Sequence, residues 1–386
     1  MKILLVEPYY TGSHRAWADG YRQSSSHQVE LLCLPGRFWK WRMHGGAVTL
    51  ARRFQEMDFQ PDLILATDML DLTTFLALTR DLTHGVPTAI YFHENQLTYP
   101  VRRGEKRDLH YGFINYASAL VADRVFFNST YHKDTFFDEL PRLLKHFPDY
   151  NELESVSRIR AKSQVLPLGL DLTRHDRHWP PEPKSGRPLI LWNHRWEYDK
   201  NPREFFNAVY ALDGMGLDFG LILLGESFRL KPEEFLEARE RLSEHILHFG
   251  YVEDAATYSR LLWQADVCVS TAHHEFFGVA TLEAIYCGCF PILPNRLAYP
   301  EIIPPQYQAD CLYDDFEGLL TRLREAIVNI EGTRQKSLRS HVEQYDWATV
   351  APVYDSRLKS ISKGVGDRGS ALFYAPIGGR AFSVVK

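Results

Sequence analysis

Cysteine is scarce in this 386-residue chain: there are five, Cys33, Cys268, Cys287, Cys289 and Cys311. A small, odd number spread over this length makes no disulfide framework, and no CxxC or His/Cys cluster completes a zinc set. Buried, reduced thiols of a cytosolic protein are the plain reading. Long apolar runs are also missing. Met1-Lys2-Ile3-Leu4-Leu5-Val6-Glu7 starts like a secretory leader, but its apolar character ends after Val6. No other segment approaches the ~20 residues that span a bilayer. A cytoplasmic protein with no membrane association is expected. Positive charge is not in excess either. With 44 Lys and Arg against 49 Asp and Glu, the net charge is -5. That balance excludes broad, non-specific nucleic-acid binding but leaves room for a local basic patch. No repeat or low-complexity tract is present.

What is present is an ordinary globular composition, 45% apolar and 24% charged, in a chain too long for one core. Two domains are expected. Short apolar runs alternate with helical patterns, which predicts an α/β fold of parallel sheets with helices on both faces. The runs Ile3–Val6, Val29–Cys33, Leu63–Ala66, Thr88–Tyr91, Arg124–Phe127 and Gln164–Pro167 read as strands of a first Rossmann-like, doubly wound domain, residues 1–172. Residues 173–188 contain Pro180, Pro181, Pro183 and Pro188 with no apolar period and read as a linker. Leu189–Trp192, Asp218–Leu224, Ile246–Phe249, Val267–Ser270 and Phe290–Leu293 read as strands of a second such domain, residues 189–346. An amphipathic helix over 347–361 is expected to pack back on the first domain, and 362–386 to form a glycine-rich tail. Two doubly wound domains face each other across a cleft, with ligands at the carboxyl ends of the strands.

The chemistry gathers in two segments of the second domain. His273-His274-Glu275-Phe276-Phe277-Gly278-Val279-Ala280-Thr281-Leu282-Glu283 follows a strand and opens a helix. Glu275 falls in the loop and Glu283 one turn into the helix, with seven residues between them. Carboxylates grip sugar diols by accepting two hydroxyl hydrogen bonds. Gly278 allows close backbone approach, and the free N–H groups after it favour an anion. The second segment, Asn193-His194-Arg195-Trp196-Glu197-Tyr198-Asp199-Lys200, follows the strand Leu189–Trp192. Arg195 and Lys200 can neutralise a diphosphate. Taken singly, each pair reads equally well as solvated surface charge; together they describe a nucleotide-sugar pocket. Leu221–Glu226 ends another strand at Gly225, which either lines the nucleotide or simply makes a turn.

These residues resemble the retaining family 4 glycosyltransferases of GT-B fold. The blocks Glu7-Pro8-Tyr9-Tyr10-Thr11-Gly12-Ser13-His14, Tyr91-Phe92-His93-Glu94-Asn95-Gln96-Leu97-Thr98-Tyr99-Pro100-Val101, His194-Arg195-Trp196-Glu197 and His274–Val279 are similar, more narrowly, to the tRNA-queuosine α-mannosyltransferase family. The likeness runs from Lys2 to Leu358. It implies transfer of mannose from GDP-mannose, with retention, to the cyclopentenediol of queuosine in the anticodon of a tRNA for aspartate. It also implies no cofactor and no metal, and no Asp-x-Asp metal motif is present. By the same likeness Glu275 contacts the hexose and Glu283 holds the ribose, with Phe276, Phe277, Gly278 and Val279 also at the donor site. Arg195 and Lys200 clamp the diphosphate, Gly12 and Ser13 approach the phosphates, and His93 lies near the reacting sugar. The wider group often has glycine where this chain has His194 and Asn201.

On the acceptor side, Phe92–Asn95 follows the strand Thr88–Tyr91. His93 is assigned to sugar contact or acceptor orientation, and Glu94, Asn95, His14 and Asn128 to the acceptor diol. A queuosine-bearing RNA also needs phosphate contacts and a hold on an unstacked base. Arg102, Arg103, Lys106 and Arg107 crowd after the acceptor motif. Arg37, Lys40 and Arg42 interleave with Phe38, Trp39 and Trp41, a pattern suited to backbone contact plus stacking. A solvated helix face and a half-buried loop account for the two clusters equally well. The expected chemistry is front-face attack, in which the acceptor hydroxyl passes its proton to the departing phosphate oxygen. Catalysis then rests on His93, Glu275, Arg195 and Lys200, and a second flanking carboxylate is unnecessary. Glu275 as a covalent nucleophile is the lesser alternative. Another nucleotide sugar, with a lipid, polysaccharide or small-molecule acceptor, is the alternative function.

Overall fold

The computed structural model describes residues 1–101, 104, 106–180, 184–226 and 233–365. The first lobe is built on β1 (Lys2–Tyr10), β2 (Gln28–Pro35), β3 (Leu63–Thr67), β4 (Thr88–Phe92), β5 (Arg124–Phe127) and β6 (Ser163–Val165). They form one parallel sheet in the order β2-β1-β3-β4-β5-β6. The second lobe carries β7 (Leu189–Asn193), β8 (Gly220–Leu224), β9 (Ile246–Gly250), β10 (Val267–Val269), β11 (Phe290–Pro294) and β12 (Leu312–Tyr313), ordered β12-β11-β10-β7-β8-β9. The two-residue β12 escaped prediction because it is too short to show a period.

The inner strands are mostly buried, whereas the edge strands β2 and β9 are open on one side. β3, β4, β8 and β11 are buried at every residue, while β2 alternates and β9 is only partly covered. That difference is what helices on both faces of a parallel sheet impose. Alternation along β1 sends Ile3 and Leu5 into one core and Leu4 and Val6 into the other. The first of these cores continues through Leu166–Leu172 into the second lobe.

The strand order reverses between β1 and β3 in one lobe and between β7 and β10 in the other. Ligand crevices open at such reversals, at the carboxyl ends of the strands.

The chain crosses between the lobes twice, and the two crossings are joined. Leu170 N donates to Tyr345 O (2.8 Å) and Trp347 N to Leu170 O (2.9 Å), while Asp346 accepts from the amides of Leu172 and Thr173. The helix Trp347–Val365 then returns to the first lobe. There Asp355 accepts hydrogen bonds from Tyr21, Ser25 and Ser26. Trp347 lies so close to Gly20 and Gly169 that a Cβ at either would stand 2.0 or 2.3 Å from its ring.

Candidate active site

The loops after β7 and β10 are stitched together. Thr271 Oγ1 donates to the carbonyls of Lys200 (3.0 Å) and Asn201 (2.8 Å), and His273 N donates to Asp199 O (2.8 Å). Lys200 is therefore drawn inward rather than offered to the cleft. Its Nζ donates to His274 O at 2.7 Å and lies 3.3 Å from Glu275 Oε2 and 3.5 Å from Asp199 Oδ2. Glu275 turns its other oxygen to the amides of Phe277 (3.3 Å) and Gly278 (3.1 Å). Burial alone would raise the Glu275 pKa, but Lys200, His194 and His274 outweigh it and hold it at about 2. The lysine thus sets the carboxylate and its loop. Arg195 alone of the two cations is exposed.

Local backbone explains the rest of the donor half. Asn201 stands at φ 51° before Pro202, the first residue of the helix Pro202–Gly214. Glycine is common at that position in the wider group, and asparagine is the side chain that best tolerates it. Gly225 has φ 150°, and a Cβ there would stand 1.9 Å from His194 O. Its absence lets the β8 loop close against the β7 loop, where Trp196 N donates to Glu226 O (3.0 Å).

Glu283 is held by one residue that the sequence placed in the linker and one from the helix Ala255–Gln264. Arg174 Nη2 lies 2.5 Å from Oε1, and Tyr258 OH donates to Oε2 at 2.8 Å. Burial opposes the charge, but His175 and Arg174 keep the carboxyl below its usual range. Each carboxylate oxygen keeps a further lone pair beside these partners. Phe276 and Phe277 are buried and serve packing: Phe276 stacks on His132, and Phe277 meets Tyr345 edge-on. Val279 opens the helix Val279–Tyr286 after Gly278, whose φ of 97° makes the turn.

In the first lobe, Gly12 (φ 50°) opens the helix Gly12–Ser24 at the carboxyl end of β1. Exposed Ser13 follows it, and the first N–H groups of a helix lack intrahelical partners. His14 is buried with Nδ1 3.0 Å from Glu7 Oε2. Burial would lower its pKa, but Glu7 overrides this and lifts it to about 9, so His14 is an imidazolium at neutral pH. His93 packs 4.3 Å from the His14 ring and edge-on to Trp17. Burial and the neighbouring His14 push its pKa well down, and it is neutral. Its amide donates to Asp68 Oδ1 at 2.8 Å, and its Nε2 has no partner among the described residues.

The two asparagines serve the loops instead of facing a ligand. Asn95 Oδ1 accepts from Leu97 N and Thr98 N, and its Nδ2 donates to Thr98 Oγ1. Asn128 Nδ2 donates to His93 O, and its Oδ1 meets His132 Nδ1. Glu94 accepts from Gln96 Nε2 at 3.1 Å; burial raises its pKa, while His14 and Arg195 pull it back. Arg107 donates to Gln96 O (2.8 Å) and ties down the acceptor loop. Arg102 and Arg103 lie outside the described residues.

The lobes meet at the site itself. Ser129 Oγ donates to Phe276 O (2.6 Å), and His132 stacks on the Phe276 ring at 4.0 Å. Glu301 receives the amides of Thr130 (2.8 Å) and Tyr131 (2.6 Å). Tyr99 stands edge-on to His274 (5.1 Å) and lies near the Arg195 guanidinium. Burial works against the Arg195 charge, yet Tyr99 and Glu197 raise its pKa overall. Arg195, Tyr99 and Glu94 thus lie near one another, and Tyr99 touches the Glu275 loop at His274.

With that geometry in place, the relatives of the chain can be compared. A sequence-family profile described as tRNA-queuosine alpha-mannosyltransferase N-terminal matches residues 2–170, and one for glycosyl transferases group 1 matches 174–320. A tRNA-queuosine alpha-mannosyltransferase of Drosophila melanogaster is 36% identical over 329 residues, 83% of this chain and 85% of that one. The chain belongs to the tRNA-queuosine alpha-mannosyltransferase family. Further off, a GDP-mannose-dependent alpha-(1-6)-phosphatidylinositol dimannoside mannosyltransferase of Mycobacterium tuberculosis is 26% identical over 310 residues, 76% of this chain and 72% of that one. Among solved structures, the sucrose-phosphate synthase of Thermosynechococcus elongatus superposes with a TM-score of 0.69 at 15% identity, covering 94% of this chain and 100% of that one. The fold is GT-B, as the motifs implied.

Several residues of this tRNA-queuosine alpha-mannosyltransferase family member carried no signal that sequence reasoning used. Arg174 and Tyr258 sit outside any motif, and Asp68 and Glu301 become site residues only through the fold. Ser129 did leave a trace, as an N-cap whose side chain accepts from His132 N. One trio has the composition of a metal-ligand set: Glu7, His14 and His93 bring one ligand atom each within 4.8 Å of one another. In the structure His14 Nδ1 of this trio meets Glu7 Oε2 at 3.0 Å.

Proposed function

We propose that this enzyme transfers mannose from GDP-mannose to the cyclopentenediol of queuosine in the anticodon of a tRNA for aspartate, retaining the anomeric configuration. The reading is carried by one observation: exposed Arg195 of the donor lobe is close enough to Tyr99 and Glu94 of the acceptor lobe to shift their charge equilibria, and Tyr99 in turn meets His274 of the Glu275 loop. Family membership supports mannosyl transfer to queuosine-tRNA, and the mannosyltransferase relative named for GDP-mannose supports the donor.

In this reading Arg195 and the first turn of the helix Gly12–Ser24 bind the diphosphate and offset the charge that grows as it departs. Glu275, kept ionised by Lys200, accepts from the mannose hydroxyls and orients the ring. Neutral His93 supplies a polar wall at the sugar, and imidazolium His14 behind it adds positive potential. Glu94 accepts from the queuosine diol. The acceptor hydroxyl attacks the face that the phosphate leaves and gives its proton to the departing oxygen, so no protein base is required.

The test is incubation with queuosine-tRNA and labelled GDP-mannose, followed by nucleoside analysis. Mannosyl-queuosine is expected, and unchanged queuosine overturns the proposal. Labelled UDP-sugars in parallel report on the donor base.

A further inference from the structure

The two basic–aromatic clusters read from the sequence lie far apart in the chain, yet the fold joins them. His44, in the helix Trp39–Gln55, stacks on His110 with centroids 4.5 Å apart and planes at 11°, and their ring nitrogens lie 3.3 Å apart. Trp39 and His44 also contact Tyr111. From His110 the aromatic surface continues as a groove over the helix Leu109–Val121. It holds a cavity of about 160 Å³ that begins at Gln96 and Leu97, just past His93 and Glu94. This cavity shares Leu109 and His146 with a wider one of about 440 Å³ bounded by His110, Phe113 and Phe147. The wider volume lies in the range of small-molecule pockets.

The side chains here have no folding role that accounts for their exposure. Phe113 is 42% exposed and Phe147 39%, with their rings 6.0 Å apart and edge to face. At the start of the helix Trp39–Gln55, which carries His44, Phe38 is 78% exposed and Trp41 63%. The groove is charged as well as apolar. Arg107 and Arg142 line it, and the one carboxylate among the lining residues, Glu139, is paired with Arg142. Exposed Lys106 and Lys145 flank it, opposed by Asp108, which caps His110 N, and Asp149.

We infer that this groove is a stacking platform for the nucleotides flanking the modified base, a single-stranded RNA loop that leaves the acceptor site past Gln96. The inference rests on the proposed function, and three features favour RNA. Aromatic faces accept any base, Arg107 and Arg142 suit phosphates, and the groove runs out from the acceptor loop itself. Exposed π-faces interleaved with cations match unpaired nucleotides better than a regular duplex, whose bases are already stacked.

The test uses fluorescence anisotropy with a labelled anticodon stem-loop, and mannosyl transfer to full-length queuosine-tRNA, for the wild type, Phe113→Ala, Phe147→Ala and Phe113→Ala/Phe147→Ala. Both residues are exposed enough for the variants to fold. Each single variant is expected to raise the stem-loop Kd and the tRNA KM roughly five- to a hundredfold, the usual worth of one stacked base. GDP-mannose affinity should stay within twofold. A stem-loop Kd within twofold of wild type in the double variant overturns the inference even if mannosyl transfer stands. A shift in oligomeric state by light scattering, with RNA binding unchanged, also overturns it and assigns the face to a protein partner. Stem-loop binding that depends on Phe113 and Phe147 in an enzyme that leaves queuosine unmodified supports the platform and sinks the mannosyl reading alone.

Discussion

The ammonium of Lys200 lies 3.3 Å from the Glu275 carboxylate, and both belong to the buried side of the donor loops. Removing the lysine leaves a carboxylate held by two amides and no cation, a defect that typically costs about 3–5 kcal/mol. Lys200→Ala is therefore expected to lower stability in urea denaturation as well as abolish transfer. Lys200→Ala/Glu275→Gln should lose less stability than Lys200→Ala alone, because Asp199 is then the one carboxylate of the cluster left without its cation. Equal stability of Lys200→Ala and wild type would show that the pair does not set the loop.

Arg195 is the contrasting case. It is exposed, and its main partners, Tyr99 and Glu197, sit at the cleft wall. Arg195→Ala should leave the unfolding midpoint unchanged, as surface substitutions usually stay within about 0.5 kcal/mol. Its kcat should fall by about 10² to 10³, the loss typical when one preorganised donor to a developing oxyanion is removed. Arg195→Lys should recover only part of this, since an ammonium lacks the planar fork. Steady-state kinetics beside thermal unfolding separates the two effects.

Why these two cations part company was not readable from spacing. The pattern Arg195-x4-Lys200 places both after a strand, where either suits an anion, and only the Thr271 and His273 bonds to the Lys200 loop turn the lysine inward. Strands were legible because buried parallel strands such as β3 and β8 are continuous apolar runs. Asn201 was partly legible, as an asparagine before proline. Asn95 and Asn128 misled because an amide that caps its own loop has the same local sequence as one that faces a ligand. Arg174 was hidden by its neighbourhood, since a proline-rich stretch reads as linker whatever its charged residues touch. Glu301 lies 171 residues from Thr130 and meets it only across the lobes.

That long-range contact has its own consequence. Glu301 puts both oxygens on the first amides of the helix Thr130–Lys145, at 2.8 and 2.6 Å. A carboxylate at a helix N-terminus gains from the unpaired N–H groups and from the dipole. Glu301→Gln keeps one acceptor oxygen and loses the charge, and should weaken the lobe contact by about 1 kcal/mol. The expected signs are faster amide exchange at Thr130 and Tyr131 and a raised KM for GDP-mannose, with little change in the global unfolding midpoint. Unchanged exchange at both amides would remove Glu301 from the closure of the cleft.

His14 makes the pH dependence of the acceptor lobe predictable. Its folded pKa of about 9 stands above the ordinary 6.5 because the buried Glu7 carboxylate favours the charged ring. The folded state therefore binds a proton more tightly than the unfolded chain. The stabilisation from this pair is fully present below pH 6.5 and is lost as pH rises through about 9. Thermal unfolding midpoints measured from pH 6 to 10 should fall across that window in the wild type. His14→Gln, which carries no titrating ring, should start lower and run flatter over the same range. Transfer should decline with the same midpoint, because above it His14 is neutral and the positive potential behind His93 is gone. A wild-type stability curve parallel to that of His14→Gln between pH 6.5 and 9 would mean that the Glu7 contact is not an ion pair.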